Sequence, residues 1–253
     1  MNLIERRMET FKRLQREGVL NIKDFADELG VSSMTVRRDL QYFAQQGFVN
    51  ISNGNAHLIE EATSNAMQVA MSKEESAGNK QRIGKAAADL VQSGDTIIVD
   101  CGTTTLQLLR YLGNKHVTIF TNSIPVSGLA GDLSNLKIVY APGIYSPLSV
   151  GMVGTLAADF FRTLRVNKSF LGAHGFDAAG GANEPVLDDA ATKHAMLEAA
   201  QESYLMVDSS KYGNVHLMAM SKLSDYSCLI TDSDFPQEKR DELNAACQRV
   251  IYA

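Results

Sequence analysis

From residue 80 to residue 253 the chain alternates between helix-like and strand-like segments, and this alternation restricts the architecture more than any other feature. "KQRIGKAAADLVQSG" reads as a helix with Ile83, Ala87 and Leu90 on one face, and "TIIVD" after it as a buried strand. "TLQLLRYLG" is helical, "VTIFT" a strand, "VSGLAGDLS" helical and "LKIVYA" a strand. "AADFFRTL" then reads as a helix, "KSFLGAHG" as a strand entering a glycine loop, and "DDAATKHAMLEAAQE" as a helix. "YLMVDSS", "SCLITD" and "RVIYA" close the series as strands. Such alternation predicts an α/β domain with a mostly parallel sheet. In sheets of that kind, ligands gather beyond the carboxyl ends of the strands.

The candidate ligand residues fall at those ends. "DTIIVDCGTTT" runs from a buried strand into a small, hydroxyl-rich loop at Asp100–Thr105. Gly102 lets backbone N–H groups approach an anion, Thr103, Thr104 and Thr105 offer hydroxyls, and the following helix turns its positive end towards the loop. Neither a Walker loop nor a dinucleotide fingerprint is present, because the glycine spacing and the lysine are missing. Asn122 and Ser123 follow the second strand. "GAHGFD" places His174 and Asp177 after another, and "GGANE" brings Glu184 shortly afterwards. "DSSKYG" puts Lys211 just past the next strand, where it could neutralise a phosphate. The plainer alternative is that Gly and Thr cap a helix and Lys211 is a solvated surface cation.

The first 58 residues differ in character. They hold eight Lys/Arg and seven Asp/Glu, so the overall charge of −5 belongs to the remainder of the chain. Ile4, Met8, Phe11 and Leu14 recur at helical spacing. Asn21 is a suitable N-cap for a short helix with Phe25, Ala26 and Leu29 inward, Gly30 can make a turn, and Ser32 or Ser33 can cap the next helix. In that helix Val36, Leu40 and Phe43 point inward, which leaves Thr35, Arg37, Arg38 and Gln41 outside the apolar stripe. Two short helices joined by a Gly-containing turn make a helix-turn-helix, whose second helix enters the major groove of DNA. Ser32, Ser33, Thr35, Arg37 and Arg38 are the candidate DNA contacts; an arginine there either reads guanine or grips phosphate. "FVNISNGNAHL" predicts a hairpin turning at Asn53-Gly54, placed as a wing would be.

The stretch "SSMTVRRDL" resembles the recognition helix of the DeoR/GlpR family of bacterial transcription regulators, in Ser32, Thr35, Arg37, Arg38, Asp39 and Leu40. "DCGTTT", "TNS", "FLGAHG" and "VDSSKYG" follow in the order and spacing of that family's effector domain, so the resemblance covers essentially the whole chain. It departs from the family at "VNISNGNAH", where a basic residue and a Gly-Gly pair are usual. It departs again at "APGIY", where Ile144 stands near another usual Gly-Gly pair, and at Asn167, where aspartate is common. The resemblance implies an effector domain similar in fold to ribose-5-phosphate isomerase and a phosphorylated sugar or related small phosphate as ligand. It implies phosphate contacts from Thr103, Thr104, Thr105 and Lys211, with Asn122, Ser123, His174 and Asp177 nearer the sugar.

The expected organisation is a winged helix-turn-helix over 1–58, an interdomain connector with weak helical character over 59–79, and the effector domain over 80–253. Two functions compete. An isomerase needs a positioned general base, and its Asp-rich loop reads here "GAHGFD", with His174 and Gly175 where acids are expected. Asp177 and Glu184 are the remaining carboxylates. A sensor fused to a DNA reader explains binding without turnover. The expectation is therefore a non-enzymatic repressor of carbohydrate genes, acting as a homo-oligomer on a double-stranded DNA operator. The isomerase is the alternative, and a protein-binding helical hairpin a third reading. No cofactor or metal is expected. Cys101, Cys228 and Cys247 are far apart and lack metal-ligand spacing, which suggests a reducing cytosol, and Cys101 reads as a small buried filler. "MNLIERRMETFKRL" has no apolar block and no run approaches a membrane span, so a cytoplasmic location without membrane contact is expected.

Overall fold

A computed structural model gives the structure of the chain and describes residues 3–45, 49–59, 64–126, 128 and 135–253. The side chains of residues 3–5, 8, 11, 12, 15, 45 and 64–76 lie outside that description. Two compact units divide the chain, residues 1–77 and residues 78–253.

In the first unit, α1 (Leu3–Glu17) is followed by β1 (Val19–Asn21), α2 (Ile22–Leu29) and α3 (Ser33–Gln45). The Asn21 carboxamide oxygen accepts from the backbone N–H groups of Lys23 and Asp24, which starts α2 as the sequence predicts. Gly30, at φ +65°, ends it in the left-handed conformation that lacks a penalty only for glycine. Val36, Leu40 and Phe43 are fully buried and pack with Leu14, Phe25 and Ala26 in one core. β2 (Val49–Ser52) and β3 (Asn55–Leu58) form the predicted hairpin. Asn53 and Gly54 both have positive φ, as a type I′ turn requires. β1 pairs with β3 as well, making a three-stranded sheet whose first strand the sequence pattern does not reveal. Of the predicted inward residues of α1, Leu14 is buried; Ile4, Met8 and Phe11 lie outside the described side chains.

The segment 59–79 is more helical than its composition suggests. α4 (Ser64–Asp89) begins inside it and continues as one helix through the stretch predicted to be helical from residue 80. The division between the units, after Ala77, falls within α4.

The second unit is built on a seven-stranded sheet. Its strands are β4 (Thr96–Val99), β5 (Val117–Thr121), β6 (Leu136–Tyr140), β9 (Val166–Leu171), β12 (Ala200–Met206), β14 (Cys228–Thr231) and β15 (Val250–Tyr252). Their order is β15-β14-β12-β9-β4-β5-β6, and every adjacent pair is parallel. The order reverses between β4 and β9: the chain builds outward from β4 to β6 on one side and from β9 to β15 on the other. Apolar clusters lie on both faces, one around Ile83, Leu109 and Ile119, the other around Phe161, Met196 and Leu205. The helices α5 (Thr155–Arg162) and α6 (Leu187–Glu198) belong to the second cluster, and α7 (Arg240–Ala246) contributes Leu243 to it.

Several predicted segments take a different form. "TLQLLRYLG" is a seven-residue 3-10 helix, Thr105–Tyr111, not an α-helix. Most of "VSGLAGDLS" lies outside the described residues. Two small sheets are not signalled by the sequence pattern: the hairpin β7 (Ile144–Ser146) with β8 (Gly151–Val153), and an antiparallel trio of β10 (Gly175–Asp177), β11 (Gly181–Glu184) and β13 (Met218–Ser221). Ile144 is exposed on β7. Asn167 sits at the other end of β9 from its carboxyl end, where its side chain accepts from the Thr96 backbone N–H and hydroxyl.

Candidate functional site

In the second unit Asp100, Gly102, Thr105, His174 and Glu184 are linked at the switch point between β4 and β9, the place where open parallel sheets commonly bind ligands. Asp100 directly follows β4, and its buried carboxylate ties together the loops that leave the two strands. One oxygen accepts from the Gly102 N–H at 2.8 Å and from the Thr105 hydroxyl. The other accepts from the Gly172 N–H, also at 2.8 Å. A Cβ at Gly102 would stand 3.0 Å from the Asp100 carboxylate and 3.1 Å from the Thr105 hydroxyl, so glycine suits the turn. The Thr105 hydroxyl donates internally, Thr104 is buried, and Thr103 is exposed at the loop tip. The helix that follows is a short 3-10 segment, so its aligned dipole is small.

Asp100 also belongs to a buried ion cluster that no motif announces. Lys193, on the inward face of α6, is buried with its Nζ 2.6 Å from Glu184 Oε1 and 3.3 Å from Asp100 Oδ2, and it donates to the Gly172 carbonyl at 3.0 Å. The other Glu184 oxygen lies 2.6 Å from His174 Nδ1. Burial alone would raise the Glu184 carboxyl; Lys193 and His174 outweigh it and hold the group at about 2. The Lys193 ammonium is held well above its ordinary value: burial opposes the charge, but Glu184 and Asp100 outweigh it. Glu184 is therefore a buried carboxylate that favours its ionised form and bridges Lys193 and His174. His174 is partly exposed above it, with its ring 5.9 Å from that of His216.

Asn122 and Ser123, after β5, are both buried, and the Asn122 amide donates to the Met152 carbonyl at 3.0 Å. Among the described residues Asn122 Oδ1 and Ser123 Oγ have no hydrogen-bond partner. Buried oxygens left in that state are costly unless a water or ligand meets them. Past β12, Lys211 is half-buried on a short 3-10 turn, and buried Asp208 also has one oxygen without a partner. Asp177 is engaged elsewhere, because its carboxylate accepts from the Ala179 and Gly180 N–H groups and closes the β10–β11 turn. Cys101 is buried, and burial beside Asp100 pushes its thiol up to about 12, which makes it inert packing. Sequence reasoning does not single out Lys193 or Asp208. The available signal for Lys193 is a cation on the apolar stripe of α6, in step with Ala190 and Met196.

In the first unit, α3 carries the candidate DNA contacts. The Ser32 hydroxyl accepts from the Thr35 N–H at 3.1 Å and lies 2.8 Å from the Thr35 hydroxyl, so these two residues cap the helix. Ser33, Arg37 and Arg38 are exposed, and among the described residues no carboxylate pairs with either arginine. Other arginines of this unit are engaged: Arg6 and Arg7 on the buried Asp39 at 2.6 and 3.2 Å, Arg13 on Glu17 and Glu28, and Arg16 on Glu17. Among the described residues Arg37 and Arg38 thus have no carboxylate partner, on a helix whose orientation is held from α1.

Comparison with known proteins agrees with both halves. Residues 6–62 match the DeoR-like helix-turn-helix domain, and residues 75–233 match the DeoR C terminal sensor domain. The chain belongs to the DeoR family of transcriptional regulators. An uncharacterized HTH-type transcriptional regulator, YgbI of Escherichia coli (strain K12), is 31% identical over 238 residues, covering 92% of this chain and 91% of that protein. The lactose phosphotransferase system repressor of Lactococcus lactis subsp. lactis is 28% identical, covering 96% of each. Among solved structures, ribose 5-phosphate isomerase A of Methanocaldococcus jannaschii is similar over 54% of this chain and 55% of that one, at 19% identity and a TM-score of 0.40. In this DeoR-family chain the helix-turn-helix match lies within the first unit and nearly all of the sensor-domain match within the second. No helix among the described residues is long and apolar enough to cross a membrane.

Proposed function

We propose that this DeoR-family regulator is a repressor of carbohydrate genes whose grip on an operator is set by a phosphorylated sugar at the β4/β9 switch point. The observation that carries the reading is the Asp100 carboxylate, which binds Gly102 and Gly172 at once and so prepares two loops at the topological switch point before any ligand arrives. Thr103, Thr104 and Lys211 would meet the phosphate, and Thr105, whose hydroxyl donates to Asp100, would hold the loop in shape. Asn122, Ser123 and His174 would meet the hydroxyls, with the unpartnered Asn122 and Ser123 oxygens as ready contacts. Asp100, Gly102 and Glu184 would shape the site from within, and Asp177 would support a neighbouring turn. The relative named for a lactose phosphotransferase system supports a sugar-linked signal.

The site favours a sensor over an isomerase. A carboxylate held at about 2 by an ammonium and an imidazole is a weak base near neutral pH, so Glu184 is poorly suited to take a proton from a sugar carbon. Asp177 is committed to its turn. Ser33, Arg37 and Arg38 would face the DNA, and two or more copies would read paired half-sites in the cytoplasm. The division into a DNA reader over 1–58, a connector over 59–79 and a sensor over 80–253 is part of this proposal.

The test is capture of fragmented genomic DNA by the full chain at near-physiological salt, followed by titration of the enriched site with sugar phosphates. A few sharp sites whose affinity shifts with one sugar phosphate are expected. Turnover of a pentose or hexose phosphate, with no enriched site, would overturn the proposal.

A further inference from the structure

The first turn of α3 is the part of a recognition helix that meets base edges, and its side chains are unequally available. Ser32 and Thr35 are occupied with each other as the cap, and Val36 is fully buried. Ser33 and Met34 are left pointing outward. Met34 is 60% exposed, although it is a large apolar residue on a polar face. At about 100° per residue, Met34, Arg37, Arg38 and Gln41 share an arc of about 100°. Met34 lies near the middle of that arc, between the two arginines. Asp39, clamped by Arg6 and Arg7, keeps the opposite side of α3 turned to the core.

An apolar side chain in this place has one partner in the major groove. Base edges there present donors, acceptors and a single apolar group, the C5-methyl of thymine. Methionine suits that contact, because its unbranched, polarisable thioether adapts to an irregular apolar surface. We propose that Met34 is a specificity-determining residue that selects thymine, by its methyl group, at one position of each half-site. The inference rests on α3 being the recognition helix of this regulator. The arginines beside Met34 would then supply phosphate grip or guanine contacts, and Met34 the A·T discrimination that arginine cannot give.

The experiment starts from a site selected from random duplex DNA by the full chain. Each thymine in that site is replaced singly by uracil, which removes only the methyl, and affinity is measured at fixed salt for the native chain and for Met34→Ala. Because Met34 is exposed, Met34→Ala should fold as the native chain does, and thermal unfolding checks this. One thymine per half-site is expected at which uracil weakens native binding about four-fold, the scale of one buried methyl-sized group. In Met34→Ala, thymine and uracil should bind equally there, and selection should no longer enrich thymine at that position. A selected site with no uracil-sensitive position overturns the inference and leaves the regulator reading intact. So does equal methyl sensitivity in Met34→Ala. Failure to select any site overturns both.

Discussion

Lys193 is held by three acceptors, and removing its charge leaves Glu184 and Asp100 side by side in a space that excludes water. Lys193→Met should therefore cost about 3–5 kcal/mol of the sensor unit's stability, read by denaturant unfolding. Lys193→Met combined with Glu184→Gln should cost clearly less than the single change, because one of the two carboxylates left facing each other is then neutral. Equal losses in the two variants would mean the ion cluster is not what Lys193 supports. Acid provides a second handle. The Glu184 carboxyl is depressed to about 2, so its contribution is fully present above the unfolded value near 4.3 and is lost as pH falls through about 2. The native chain should lose stability steeply across that window, and Glu184→Gln should show a shallower acid limb. The same reasoning at Arg37 and Arg38 separates phosphate grip from base reading. Replacing a phosphate-gripping arginine by alanine lowers the salt dependence of operator binding by about one unit of slope, whereas replacing a base-reading one flattens preference at one position.

At the scale of elements, α3 and α4 depend on contacts that local propensity does not supply. The Asp39 carboxylate on α3 takes both Arg6 and Arg7 of α1 while almost fully buried. Asp39→Ala should destabilise the first unit by about 3 kcal/mol and weaken binding to every operator variant alike, since it disturbs the helix and not one base contact. On α4, a Cβ added at Gly84 would stand 2.5 Å from the Gln107 Cβ and 2.9 Å from the Leu108 backbone nitrogen. Gly84→Ala should cost about 1–3 kcal/mol through that close approach, although alanine is the better helix former, and thermal unfolding would detect it. A neutral or stabilising outcome would mean the packing between α4 and the 3-10 helix can relax. The hairpin β7–β8 shows why some elements are illegible in sequence. Val150, in its turn, has φ +52°, a conformation that β-branched residues rarely adopt, so no turn-forming residue marks the site. The wing hairpin is the converse case: Asn53 and Gly54 are the residue types its turn demands, and the pair announces it.

At the scale of the whole molecule, the chain carries a net charge of −5, yet two exposed arginines on one helix face give its DNA reader a local positive field. An effector changes operator affinity only if it binds one state of the regulator better, and the operator must change effector affinity by the same factor. A sugar phosphate that stabilises the sensor unit should raise its unfolding free energy by about 2.7 kcal/mol at a hundred times its Kd. Differential scanning calorimetry with and without the sugar phosphate, beside operator titrations under the same conditions, would check both halves. Stabilisation without any change in operator affinity would break the proposed coupling.

Short-range physics made much of this protein legible from its residues alone. Helix and strand periodicity placed the parallel-sheet unit, Asn21 and Gly30 bounded α2, and the "SSMTVRRDL" helix with its exposed arginines was readable because surface side chains answer mainly to their own element. Strand-end loops at Asp100, Asn122, His174 and Lys211 were readable for the same reason, since a change from an apolar run to Gly, Thr, Asn and Lys marks the end of a buried strand. Which of those loops meet depends on strand order, a long-range property. The order β6-β5-β4-β9-β12 puts Asp100 beside Gly172, and α6 delivers Lys193 between Asp100 and Glu184. That packing also turned Glu184 from a candidate base into a fixed strut. The worth of a charged group depends on its burial and its partners, and both arise from contacts between residues far apart in the chain.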